Sequence, residues 1–222
     1  IPFAGHATGR EIRLAPETIL DLDEAIPQLE LISPEFIEWA RVEAGGRVYR
    51  VCLTGVYPAY GPLRAWGVLP GGRFINEPDI AQRRRVTVLG SRIARGLFGT
   101  DAPVGRTLIV RGTPFRVVGV LAPKLQDSSY SSRDEDRICL PATTFTEITG
   151  ARSVSAFVLR ARNPLVQAQV LDRVYEVLAH RLRFDPSDRQ ALKIWDTARR
   201  GADAPVELPG VRHHPWRLSR RD

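Results

Sequence analysis

Val86–Gly90 reads VTVLG, Leu97–Gly99 reads LFG, Pro103–Gly105 reads PVG and Gly112–Val120 reads GTPFRVVGV, with Gly72-Arg73-Phe74 a little upstream. VTVL is a short, β-branched apolar run, the pattern of a buried strand. Gly90-Ser91 opens a helix, with Ser91 a candidate N-cap. Ile93, Ala94, Leu97 and Phe98 line one helical face, and Gly99 closes it as a left-handed C-cap would. Thr107–Val110 and Phe115–Leu121 are strands joined at Arg111-Gly112-Thr113-Pro114, a hairpin. Gly99 and Gly105 allow tight turns.

Upstream, Glu11–Leu14 alternates as a short strand, and Pro16 sits at the first turn of a helix over Glu17–Ile26 that Pro27 ends. Leu29–Glu43 reads as extended, with Pro34 confined to an edge or bulge. Gly45-Gly46 turns the chain into a second strand, Arg47–Val56. Pro and Gly then punctuate Tyr57–Gly72 as loop. Downstream, Leu125–Arg137 is polar and serine-rich and is expected to be an exposed, mobile loop. Arg137–Leu140 is a strand, and Pro141 starts a helix to about Thr149. Ser153–Arg162 is a strand, and Asn163-Pro164 caps a helix whose apolar stripe runs from Val166 to Leu182. Asp185-Pro186-Ser187-Asp188 starts a further short helix to about Ile194. The two ends share a strand–helix texture and the middle differs. The expected class is α+β: a split α/β subdomain in residues 10–58 and 151–197, an inserted mostly-β subdomain in 59–150, and a disordered tail in 198–222. One continuous sheet fits the same pattern.

The chain has 222 residues, 43% of them hydrophobic, which suits a globular protein. No apolar stretch reaches the ~18 residues of a spanning helix, so a soluble chain is expected as supplied. It starts at Ile1 and has no methionine, so a fragment or processed chain is expected. Ile1–Gly9 is no signal peptide. The net charge is +7, and all but Lys124 and Lys193 of the 32 basic residues are arginine. The charges are scattered. The one tight run, Arg83-Arg84-Arg85, lacks interleaved aromatics, which favours solvated surface charge over nucleic-acid binding. Cys52 and Cys139 lie in separate strand-like runs, as buried core residues or as one disulfide.

No catalytic, cofactor or metal residue is expected. There is no P-loop, no G-x-G-x-x-G and no G-x-S-x-G elbow. His6, His180, His213 and His214 form no ligand cluster. Asp134-Glu135-Asp136 lacks a calcium-loop pattern and is expected to be a solvated loop tip. Asp21, Asp23 and Glu24 read as solubility residues on an exposed helix face. Trp39, Trp66, Tyr57 and Tyr60 could line a ligand groove, although core packing suits them better.

In order and spacing, the segments quoted first resemble the periplasmic core domain of MacB-type ABC transporter permeases, of the FtsX-like permease superfamily, whose motif series runs GR-x-F, VxVLG, LFG, PVG and G-x-x-F-x-VVGV. The matching residues are Gly72, Arg73, Phe74, Leu89, Gly90, Leu97, Phe98, Gly99, Pro103, Gly105 and Gly119, which read as fold-defining rather than chemical. PEFIEWARV at Pro34–Val42, LTGVYPAY at Leu53–Tyr60, RICLP at Arg137–Pro141 and the stretch His180–Thr197 match more loosely. The likeness covers about residues 10 to 197. After Thr197 the family enters an apolar helix, whereas this chain continues polar and basic.

The resemblance implies a non-enzymatic, cofactor-free domain at the periplasmic or extracellular face of the bacterial cytoplasmic membrane, coupling ATP-driven helix motion to export or to an adaptor protein. It implies as partners a periplasmic adaptor or exported substrate and a separate ATPase domain or subunit. The full-length protein would be membrane-embedded and dimeric, with no nucleic acid. Adaptor contacts are expected on Tyr57–Gly72 and Leu125–Arg137. The near alternative is a lipoprotein-releasing or signalling permease of the same superfamily; the alternative of another class is a small hydrolase.

Overall fold

The structure, a computed structural model, describes residues 13–123, 132–185, 193–194 and 205–207. Two short helices, α1 (Pro16–Leu20) and α2 (Leu22–Ala25), replace the single helix expected over Glu17–Ile26. Asp21 closes the first through its N–H to Glu17 O. The break keeps Ile19, Leu22 and Ile26 all fully buried. Strands β1 (Leu29–Ala44) and β2 (Arg47–Val56) form a hairpin through Gly45-Gly46, both at positive φ. After α3 (Tyr60–Leu63) and α4 (Glu77–Ala81) come β3 (Val86–Leu89), α5 (Ser91–Phe98), β4 (Thr107–Val110) and β5 (Thr113–Val120). A 3-10 turn at Asp134–Asp136 leads into β6 (Arg137–Pro141), α6 (Ala142–Thr149), β7 (Ala156–Ala161) and α7 (Gln167–Leu182). Strands β8 (Lys193–Ile194) and β9 (Pro205–Glu207) complete a nine-stranded sheet.

The sheet order is β2-β6-β3-β5-β4-β1-β7-β9-β8, and β2 also pairs with β1. The pairings β1–β2–β6–β3–β5–β4–β1 therefore close into a ring. β1 makes this possible because it is long: 16 residues, or about 50 Å at ~3.3 Å per residue. Its first part, Leu29–Glu35, pairs with β7, and Glu35–Ala44 pairs with β2. Strands from both expected segments thus share one sheet: β2 pairs in parallel with β6.

Both faces of the sheet are covered, which is why β3 and β6 are buried at every position. On one face Val51, Leu53, Leu89, Phe115, Val117, Ile138, Leu140, Phe157 and Leu159 join the main core with residues of α1, α2, α5, α6 and α7. On the other, Val56, Val88, Cys139 and Val158 pack against Tyr60, Leu63, Ile75 and Leu121. Period-2 alternation sends adjacent strand residues to these two cores.

Several expectations change. Leu14 is not in a strand, and Glu11–Ile12 lie outside the described residues. The strand expected at Ser153–Arg162 is the shorter Ala156–Ala161. Gly90, not Ser91, is the N-cap of α5, and no side chain caps it. A Cβ at Gly90 would stand 2.5 Å from Asp134 O and Glu135 O, so that position needs glycine for space. Gly99 does end α5 at positive φ (66°), but with ψ −124° rather than left-handed helical geometry. Ile194, expected in a helix, lies in β8, while residues 186–192 of that call lie outside the described residues. In the tail expected to be disordered, Pro205–Glu207 pairs antiparallel with β7; the remainder of 198–222 lies outside the described residues.

Candidate functional site

The second core contains something that hydrophobic patterning does not explain. Glu35 on β1 and Arg137 on β6 are fully buried, with Arg137 Nη1 donating to Glu35 Oε1 at 3.0 Å. Arg137 Nε lies 3.8 Å from Asp134 Oδ1 in the 3-10 turn. Asp134 accepts from Arg64 Nη2 at 3.2 Å and from Trp66 Nε1 at 2.7 Å. The Arg137 guanidinium sits 5.8 Å from the centroid of the Trp66 ring. Tyr60 Oη lies 3.5 Å from Arg137 Nη1 and hydrogen-bonds Glu35. Among the described residues two carboxylates face two guanidiniums, so their charges balance. That balance is what makes burial of four charges tolerable.

The electrostatics follow from this burial. Loss of water pushes the Glu35 carboxyl above its ordinary value, against the opposing pull of Arg137. Burial, and next the Glu35 charge, hold the Tyr60 phenol well above its usual range. For Arg137, burial works against the charge, but Tyr60, Cys52, Glu35 and Asp134 outweigh it and keep the guanidinium ionised. Burial raises the Cys139 thiol, which leaves it unreactive. Cys52 and Cys139 are both buried free thiols.

The expected exposed loop at Leu125–Arg137 is corrected at its C-terminal end. Asp134 and Arg137 are buried, because their charges complete this cluster. Residues 124–131 lie outside the described residues. The acidic run Asp134-Glu135-Asp136 is no solvated tip: Asp134 points inward, while Glu135 and Asp136 pair with Arg92 at 2.5 and 3.0 Å. Hydrogen bonding from Arg92 holds the Glu135 carboxyl below its ordinary value. Arg64 and Trp66 thus tie the Tyr57–Gly72 loop to the 3-10 turn, and the two segments expected to contact an adaptor meet.

The motif residues group around this cluster and around the crossing segment after it. Arg73 N–H donates to Val118 O at 2.8 Å, and a Cβ at Gly119 would lie 2.3 Å from Arg73 O. A Cβ on Gly72 would lie 2.8 Å from Gly119 Cα, so two glycines permit the backbones to cross. Phe74 then stacks edge-on against Trp66 at 5.9 Å, and Trp66 against Tyr60 at 5.0 Å. Leu89 and Gly90 adjoin the cluster: Leu89 pairs with Ile138, and Gly90 N–H donates to Arg137 O. Leu97 and Phe98 pack in the main core. Gly99, Pro103 and Gly105 shape the turns between α5 and β4, with Gly105 N–H bonded to Val117 O on β5.

Of the remaining candidates, Tyr60 is buried, Trp66 and Tyr57 are half-buried, and Trp39 is half-buried on β1. Asp21, Asp23 and Glu24 are exposed, and Asp21 pairs with Arg181 at 3.3 Å. His180 is exposed in the last turn of α7; His6, His213 and His214 lie outside the described residues. Among the described residues no group of His, Cys, Asp and Glu could hold a metal ion, and no helix is long and apolar enough to cross a membrane. Sequence reasoning missed Glu35, Arg64 and Arg137 as a set. The available signal was an arginine opening the apolar strand RICLP, but its partner Glu35 is 102 positions away.

A profile of the MacB-like periplasmic core domain matches residues 3–177. The chain belongs to this family. It is 31% identical over 162 residues to the macrolide export ATP-binding/permease protein MacB of Rhodospirillum rubrum, covering 70% of this chain and 24% of that protein. Against MacB of Bdellovibrio bacteriovorus it is 27% identical, covering 82% and 28%. This MacB-like domain therefore spans about a quarter of the length of those curated relatives. Its fold is similar to the extracellular domain of the transporter YknZ from Gram-positive bacteria, with TM-score 0.70, 16% identity and coverage of 84% and 93%. It is also similar to the periplasmic region of MacB from Actinobacillus actinomycetemcomitans, with TM-score 0.68, 20% identity and coverage of 82% and 82%. The family whose model matches this MacB-like domain is that of the periplasmic core.

Proposed function

We propose that this MacB-like domain is a mechanical coupler. It transmits ATP-driven motion of a permease's membrane helices to an exported substrate or a periplasmic adaptor, and makes or breaks no bonds itself. In this reading it lies on the outer side of the cytoplasmic membrane, works with a separate ATPase domain or subunit, and acts within a dimeric membrane-embedded protein. Residues 59–150 are the partner-facing insertion, and residues 10–58 with 151–197 are the part that receives the motion.

The observation that carries the proposal is β1. One uninterrupted strand pairs with β7 at its start and with β2 and β4 further along, so displacement of one part is passed to the other without a hinge. Leu14 O accepts from Val154 N–H just before β7, and β9 pairs with β7. The early and late described segments therefore converge on the β7 side, where motion would enter. The ion cluster, whose Glu35 pairs with Ala156 of β7, locks the loop around Arg64 and Trp66 to the sheet, so a load on that loop reaches β6, β1 and β7.

The test uses the full-length transporter that carries this domain. Leu69 is 40% exposed and Arg133 is exposed, so Leu69→Asp with Arg133→Glu alters the partner-facing loops without entering the core. Loss of export and of adaptor binding with ATP hydrolysis retained is the expected, uncoupled outcome. Unchanged export and unchanged adaptor binding would remove the proposal.

A further inference from the structure

Beside the crossing of Gly72 over Gly119 lies a groove of about 570 Å³ whose lining includes Arg73, Arg84, Arg116, Val86, Val104 and Val117. Its charge is organised by one buried group. The fully buried Asp79 carboxylate accepts from Arg73 Nη1 at 2.5 Å and Nη2 at 3.0 Å, and lies 3.6 Å from Arg84 Nη1. Asp79 is itself fixed by a reciprocal capping box with Asn76 at the start of α4. Arg84 Nε also donates to Gln82 Oε1 at 2.9 Å. Two guanidiniums are thus held in place, yet both stay substantially exposed, at 39% and 43%. Arg116 is exposed and has no ion pair among the described residues. Three arginines against one carboxylate leave the groove cationic, and exposed Arg83 and Arg85 extend the charge beside it.

Apolar surface accompanies the charge. Val104 in the groove is 38% exposed, and Leu69, which opens the turn leading to Gly71 and Gly72, is 40% exposed. Exposed aliphatic residues beside arginines are a composition that protein interfaces favour. The Arg116 fork matches a carboxylate in two-point geometry, whereas the Arg73 fork is already taken by Asp79 and Phe74 O and adds charge only. Val86 is recessed in the groove lining, which admits side chains of a docking polypeptide and suits a flat bilayer surface poorly.

We infer that this groove docks an acidic segment of a periplasmic partner protein, with Arg116 gripping a carboxylate, Arg73 and Arg84 adding positive charge, and Val104 and Leu69 packing its apolar side chains. The inference rests on the coupling role proposed above and names the chemistry of the partner. It also gives the Arg83-Arg84-Arg85 run a role beyond solvated charge.

Fluorescence anisotropy of a labelled deca-glutamate probe on the purified chain tests it. Arg116→Glu is expected to weaken binding at least about tenfold, and Arg116→Gln severalfold, as loss of a docked charge pair does. Arg152→Glu carries the same change in net charge at an exposed site outside the groove, and is expected to shift affinity less than about twofold, as a screened distant charge does. Circular dichroism confirms that each variant is folded. Equal losses in the Arg116→Glu and Arg152→Glu variants would show diffuse attraction to a basic protein and overturn the inference. So would tight binding of phosphatidylglycerol vesicles that depends on Arg116 while the peptide does not bind. Either failure leaves the coupling proposal standing, because that is read by export in the full-length transporter.

Discussion

Arg137→Met tests the ion cluster most directly. The side chain is fully buried, as is Glu35, and methionine keeps much of its volume while removing the charge. The loss has two parts. At 3.0 Å the pair attracts by roughly 5 kcal/mol at an effective dielectric constant of ~20. What remains is then unbalanced among the described residues: Glu35 and Asp134 keep Arg64 but lose Arg137. Breaking a buried pair on one side costs about 3–5 kcal/mol, which for a domain of this size lowers the melting temperature by roughly 10 °C. Glu35→Gln in the same background removes the stranded carboxylate and leaves Arg64 with Asp134 as a balanced pair, so the double variant is expected to recover at least half of the loss. Urea unfolding followed by far-ultraviolet circular dichroism measures all three variants. A loss below about 1 kcal/mol for Arg137→Met, or simple additivity of the two changes, would refute a coupled buried pair. The Arg137→Met defect should also shrink as pH falls from 7 toward 4.5, because burial of Glu35, no longer opposed by Arg137, is relieved when its carboxyl is protonated.

Two further outcomes follow from the same geometry. The folded Glu35 value lies above its ordinary 4.5, so its contribution to stability is fully present below about 4.5 and is lost as pH rises through the raised value. The stability of the parent minus that of the Glu35→Gln variant should therefore fall as pH rises above about 4.5; a pH-independent difference would contradict it. Gly119→Ala would place a methyl carbon 2.3 Å from Arg73 O, against backbone that cannot swing aside. It should destabilise the domain by about 2 kcal/mol or more in a thermal melt, with Gly112→Ala as comparison, where positive φ but no contact is present.

Much of the fold was legible because its signals are local. The Gly45-Gly46 hairpin, strand Arg47–Val56, the β4–β5 hairpin and helix α7 each declare themselves by turn residues or periodicity within a dozen positions. The glycine–aromatic motif series was legible too, and with it the family. Local rules misplaced the cap of α5, where Gly90 is chosen by contact with the Asp134–Glu135 backbone rather than by capping chemistry. They also misread Asp134, whose acidic neighbours suggest solvent.

The sequence by itself determined the β1–β2 and β4–β5 hairpins, strands β3 and β6 and helices α5 and α7, that the class is α+β, and which family the chain resembles. Tertiary structure alone decided that β1 would pair with three other strands and close a ring. It alone decided that Glu35, Arg64, Asp134 and Arg137 would meet in a buried core, and that Asp79 would hold two arginines at a groove. The physical reason is range. Propensity, capping and periodicity act over a few residues, whereas the partners of a buried charge are chosen by which strands pair, and those pairings join residues about a hundred positions apart.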